Sequence, residues 1–214
     1  MYKVLYLIAL YSGIIPICLY LLRKGTKLNL GKEIVFPFIT LTFIATIYEQ
    51  IGVIYSIIGS SYWFQIYAVL EFTALFYYYR ELNFIKKKQE FEIFFAVFFV
   101  FFYLISWMFF RTENIFLSLF ISQIPIVLLV IVSSFSWFKK LFLNKEIKDL
   151  WKNADFYFVS GYLIYCASTF FLFSLSGFLV ETSLYFYDYW LVNVLATLFL
   201  RIMLSIGVWR MKMT

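Results

Sequence analysis

Seven apolar stretches, each long enough to cross a bilayer, take up most of this 214-residue chain. A membrane-spanning helix needs ~20 predominantly apolar residues. The runs fall near Tyr2–Leu22, Ile34–Ile58, Tyr62–Tyr79, Phe91–Phe110, Ile115–Phe138, Phe156–Val180 and Tyr189–Trp209. Lipid offers no partner to a backbone N–H or C=O, so such runs must satisfy those groups within themselves. The expected fold is therefore all-α: a polytopic membrane protein with seven transmembrane helices. It forms a single seven-helix transmembrane domain over residues 1–214, with no soluble domain.

The connections between the stretches alternate in charge. Arg23, Lys24, Lys27 and Lys32 follow the first run, and Arg80, Lys86, Lys87 and Lys88 follow the third. Lys139, Lys140, Lys145, Lys148 and Lys152 follow the fifth, and Arg210 and Lys212 follow the seventh. The other connections carry almost no cation. Basic residues stay on the cytosolic side, so the amino terminus is expected outside and the carboxyl terminus inside. Trp63, Trp107 and Trp190 then fall at outer ends and Trp137, Trp151 and Trp209 at inner ends, the pattern of an aromatic belt.

Composition narrows the chemistry. Hydrophobic residues make up 64% of the chain and charged ones 14%, against roughly 45–50% and about 25% in a soluble domain. The net charge of +6 lies in short connections, which makes nucleic acid an unlikely partner. The partners expected are the lipid bilayer, a cytosolic protein touching the basic inner loops, and a further copy of the chain. There is no histidine, which removes His-based nucleophile pairs and His-ligated metals. Cys18 and Cys166 stand alone inside apolar runs. No cofactor, no metal and no catalytic set is expected. A retinal Schiff base is also excluded, because Val192–Val208 contains Arg201 and no lysine.

Three charges lie deep in the runs. At ~1.5 Å rise per residue, Glu71 is ~14 Å, Arg201 ~18 Å and Glu49 ~12 Å from the outer edge. Each costs ~2.5–3.5 kcal/mol or more if it faces lipid alone. Small and polar residues recur on the same helical faces: Thr42, Thr46, Glu49, Gly52 and Ser56 on the second run, and Tyr67, Ala68, Glu71, Ala74 and Tyr78 on the third. On the seventh, Asn193, Thr197, Arg201 and Ser205 recur every four residues. Such stripes let membrane helices pack against one another. Spans two, three and seven are expected to converge, with Arg201 bridging one or both glutamates. The candidate intramembrane cluster is Glu49, Glu71, Arg201, Asn193, Gln65, Gln50, Thr46, Thr197 and Tyr67. Gln123, two residues before Pro125, marks an expected kink in the fifth span. The nearly apolar, phenylalanine-rich fourth span is expected at the lipid-facing periphery.

The run Tyr67-x-x-x-Glu71-Phe72 with Tyr77, Tyr78 and Tyr79 resembles small seven-span inner-membrane proteins of Bacteroidetes-type bacteria, and the ending Phe156 to Arg210 resembles the membrane part of some sensor kinases from that group. One subset of Bacteroidetes membrane proteins accompanies type VI-B CRISPR effectors as small accessories. The resemblance extends loosely over the whole chain. It implies a bacterial inner-membrane location and lends topology rather than activity. The small size, the absent catalytic set and the cationic inner face point to a non-enzymatic regulatory, accessory or defence-associated role, modulating a cytosolic partner or membrane permeability. The cytosolic basic surface would comprise Arg23, Lys24, Lys27, Lys86, Lys87, Lys88, Lys139 and Lys140. Two further readings stand beside it: a sensor or transporter with a small-molecule or proton site at Glu49, Glu71 and Arg201, and a lipid-modifying enzyme.

Overall fold

The computed structural model describes residues 2–22, 34–52, 60–82, 88–111, 115–144, 150–182 and 186–211, and every element among them is helical. In chain order these are α1 (Tyr2–Ser12), α2 (Ile15–Leu22), α3 (Phe36–Ile47), a π-helical turn (Tyr48–Gly52), α4 (Ser60–Leu82), α5 (Lys88–Arg111), α6 (Ile115–Asn144), a 3₁₀ turn (Leu150–Lys152), α7 (Ala154–Thr182) and α8 (Phe186–Met211). Five segments are long and apolar enough to cross a membrane: Val4–Leu22, Gln89–Arg111, Ile115–Leu143, Ala154–Leu175 and Trp190–Met211. Phe36–Ile51 is apolar but shorter. The 23-residue α4 is long enough, but Gln65, Glu71 and its tyrosines reduce its apolar character.

Neighbouring helices reverse direction. Tyr62 meets Phe110, Phe72 stacks on Phe99, and Arg80 pairs with Glu92, so α4 and α5 run antiparallel. Gly161 approaches Met203, Gly207 approaches Phe158 and Phe173 meets Trp190, which makes α7 and α8 antiparallel too. The same holds for α6 and α7, through Phe120–Phe170 and Phe138–Phe156. By contrast α4 runs parallel to α6, with Gln65, Glu71 and Tyr79 bonded in order to Ser118, Gln123 and Ser134. Only 17% of the α5 span is buried, against 39–44% for the other four, so α5 lies at the edge of the bundle.

Local chemistry sets several helix ends. Asn153 Oδ1 accepts the Asp155 N–H at 2.9 Å and caps α7, satisfying a donor that a helix start leaves free. Pro37 sits in the first turn of α3, where a missing N–H costs nothing. The first run is not one uninterrupted helix. Pro16 has no N–H to give the preceding turn, and the chain turns at Gly13 and Ile14 before α2 resumes the path. The fifth run extends past its expected end: α6 passes through Pro125 and continues to Asn144, so Lys139 and Lys140 belong to its last turns and not to a loop.

The core is densest toward the end of the bundle where α4 finishes. Phe38, Tyr78, Tyr79, Phe158 and Tyr162 are fully buried there, with ring pairs 4.6–6.3 Å apart, mostly edge to face. Such pairs add stability beyond the area they bury.

Candidate functional site

Near the opposite end, where α4 and α8 begin, the helices part around a cavity of about 110 Å³. Five walls meet there. Thr42, Ala45 and Glu49 come from α3 and its π turn, Trp63 and Tyr67 from α4, and Gln123 from α6. Tyr165 and Phe173 come from α7, and Trp190, Asn193, Thr197 and Arg201 from α8. The four-residue rhythm of Asn193, Thr197 and Arg201 works as expected, aligning all three on the α8 wall. The π turn at Tyr48–Gly52 carries Glu49; such turns recur at functional sites because they re-aim a side chain.

Arg201 is anchored by the break in the first run. An unbroken helix would spend the Ala9 carbonyl on the Gly13 N–H. Here Gly13 N–H donates to Leu10 O at 3.2 Å and Ile14 N–H to Tyr11 O at 3.1 Å. That leaves Ala9 O for the Ser12 hydroxyl at 2.6 Å and for Arg201 Nη1, which also donates to Leu10 O at 3.2 Å. Gly13 is required at this approach. A Cβ there would strike Thr46 Oγ1 and come within 3.0 Å of Arg201 Cζ.

The expected bridge from Arg201 to the glutamates is not formed. Among the described residues the ion pairs within 4.0 Å are those of Arg80 with Glu81 and Glu92, and none involves Arg201, Glu49 or Glu71. Backbone carbonyls took the place of the carboxylates, because the Gly13 turn offered two acceptors with no charge to desolvate. Glu49 is exposed and lines the cavity, and Arg201 is buried, at 5% exposure. Glu71 lies one turn below Tyr67, ~6 Å deeper, and is not part of the cavity lining. Its Oε2 accepts from Gln123 Nε2 at 3.2 Å, and its Oε1 is buried with no hydrogen-bond partner among the described residues. Gln123 therefore joins the cavity wall to the buried acid.

Other members of the expected cluster lie apart from the cavity. Gln65 Nε2 donates to Ser118 Oγ at 2.7 Å, where Ser106 and Ser118 each donate to the other's carbonyl at 2.8 Å. That arrangement clamps α4, α5 and α6 together. Thr46 is buried beside Gly13 and donates to Thr42 O at 2.9 Å. Gln50 does not line the cavity; its Nε2 is buried with no partner among the described residues. Of the basic surface, Arg23, Lys24, Lys27, Lys86 and Lys87 lie outside the described residues, and Lys88 begins α5. Lys139 is exposed, while Lys140 Nζ is buried without a hydrogen-bond partner among the described residues.

Two aromatic contributions escape a sequence-level reading. Trp63 is buried and stacks on Tyr48 (centroids 4.1 Å apart, planes at 17°), so it walls the cavity rather than the lipid headgroups. Tyr165 reaches the site from α7 with no polar stripe to announce it. Of the three expected at the inner belt, Trp151 and Trp209 are exposed at 65% and 47%, whereas Trp137 is buried in the core.

Most of the polar lining has no protein partner. Glu49, Tyr67, Tyr165, Asn193 and Thr197 make no side-chain hydrogen bond among the described residues, and Arg201 bonds only through Nη1. The first five are half-buried or exposed rather than sealed in the core, so water or a ligand can reach them in the cavity. The described residues contain no group of three or more His, Cys, Asp or Glu able to hold a metal. No protein-family model matches the chain, and neither a curated protein nor a solved structure does.

Proposed function

We propose that this chain is a seven-span membrane protein that recognises a small polar ligand in the cavity between α3, α4, α6, α7 and α8, acting as a sensor or carrier module. In this reading the α3 and α4 segments also cross the membrane. The positive-inside rule puts the start of α4 and α8, and with it the cavity mouth, on the outer face of a bacterial inner membrane. A sensor of this kind would act as a regulatory or accessory module, passing occupancy to a cytosolic partner at the basic inner ends.

One observation supports the reading above all others: six polar side chains converge on one cavity and leave hydrogen-bonding capacity unused. A packed structural network would pair those groups with one another, whereas here they face an accessible cavity. Binding sites have the opposite character, an apolar and aromatic frame with a few convergent polar groups. Trp63, Phe173 and Trp190 form that frame here.

Cysteine accessibility tests both the site and its orientation. In a background of Cys18→Ser and Cys166→Ala, Asn193→Cys in intact cells should react with a membrane-impermeant thiol reagent. Val194→Cys, one position along and buried, should not. Equal silence at both positions, with the protein folded and inserted, would remove the outward-facing cavity.

A further inference from the structure

The cavity presents one acid and one base that do not touch, and that separation restricts what can occupy it. We propose that the ligand is a small zwitterion of amino-acid type, its carboxylate on Arg201 and its ammonium on Glu49. This rests on the ligand-binding reading above and names the chemical class that the site accepts.

Arg201 is oriented for the task. Nη1 is held by the Ala9 and Leu10 carbonyls, which fixes the plane of the guanidinium. The Nε and Nη2 N–H groups make no hydrogen bond among the described residues, and these two form the edge that takes a carboxylate through parallel bonds. Thr197 and Asn193 sit one and two turns along the same face of α8 and offer neutral donors and acceptors to the cavity. Across the cavity the Glu49 carboxylate has no hydrogen-bond partner among the described residues. Trp63 and Tyr67 line the space near it, and aromatic faces favour a bound ammonium.

Charge balance argues against the simpler occupants. A lone anion on Arg201 would leave Glu49 facing it as an uncompensated negative charge, and a phosphate would make the repulsion worse. A lone amine or a divalent cation on Glu49 would leave the Arg201 edge empty. Arg201 is buried, where a charge without its counterion is costly, and Glu49 on the other wall repels a lone anion. A ligand that carries both signs is therefore the one that suits both walls. Size agrees. A single water needs only ~10–15 Å³ of such space, so about 110 Å³ admits several heavy atoms. The charged head of an amino acid fits, and its side chain would extend toward the mouth.

The test uses the full chain purified in lipid nanodiscs, titrated with the standard amino acids and, for each, the N-acetyl and carboxamide derivatives that remove one charge. Binding is read by calorimetry and by the rise in melting temperature that a native-state ligand produces. At least one free amino acid should bind, and each of its capped derivatives should bind about tenfold more weakly or less, since each loses a charge-assisted contact. Glu49→Gln should abolish the preference for the free amino acid over its N-acetyl form. If capped compounds bind as well as free ones, the cavity is a ligand site but the zwitterion is wrong. If no compound in the panel binds folded wild type, the zwitterion is also wrong, and cavity access is then judged separately by labelling at Asn193→Cys.

Discussion

Where α4 finishes, the hydroxyls of its two buried tyrosines are spent inside the protein: Tyr78 donates to Asp155 Oδ1 at 3.3 Å and Tyr79 shares a 2.7 Å hydrogen bond with Ser134 Oγ. Where α4 begins, Tyr67 and, across from it, Tyr165 line a cavity and bond to nothing among the described residues. The same residue type thus serves opposite ends. In one region its ring and hydroxyl fill a packed core; in the other its hydroxyl is held ready. The aromatic core of one half supplies stability even around the unmatched Tyr162 hydroxyl, while the other half gathers its polar groups at an accessible cavity.

The largest expected effect lies in the packed half. Tyr78→Ala should lower the unfolding free energy by about 3–5 kcal/mol, the usual cost of removing a buried aromatic ring. Unfolding in mixed detergent micelles would measure it. A loss no greater than that of Thr197→Ala in the cavity wall would erase the distinction between the halves. Gly207→Ala should cost roughly 1–3 kcal/mol, because its Cβ would lie 2.7 Å from Phe158 Cδ1 in a region with no room to yield. A smaller contrast sharpens the comparison within the core itself. Tyr79→Phe should cost about 1 kcal/mol by giving up the Ser134 bond. Tyr162→Phe should cost close to nothing, since the Tyr162 hydroxyl is buried without a partner among the described residues.

Much of this was legible in the sequence, and the reasons for the rest are specific. Helix positions follow from apolar runs, and observed ends mostly fall within a turn of the expected ones: Tyr189–Trp209 became Phe186–Met211. Asn193, Thr197 and Arg201 could be read as one wall because their spacing is a property of a single helix. Counting residues along each run set Glu49, Glu71 and Arg201 at a common depth, but only Glu49 and Arg201 share the cavity. Rotation and tertiary distance could not be read. Glu71 turned out to be below the cavity, with Gln123 as its partner, and Gln65 belongs to a serine clamp. Arg201 found backbone carbonyls nearly two hundred positions away in the chain, which no pattern of charged residues signals. Pro16 and Gly13 were visible, but what their turn would leave unbonded depends on α8 lying beside it.

The central claim is that Glu49 and Arg201 are separate halves of a binding site and not an ion pair holding helices together. The unfolding free energy of Glu49→Gln, measured against wild type with no ligand added, tests it most directly. A residue without a protein partner can be neutralised at little cost, so the two should agree within about 0.5 kcal/mol. A loss of about 3–5 kcal/mol, as when one partner of a buried salt bridge is removed, would contradict the account.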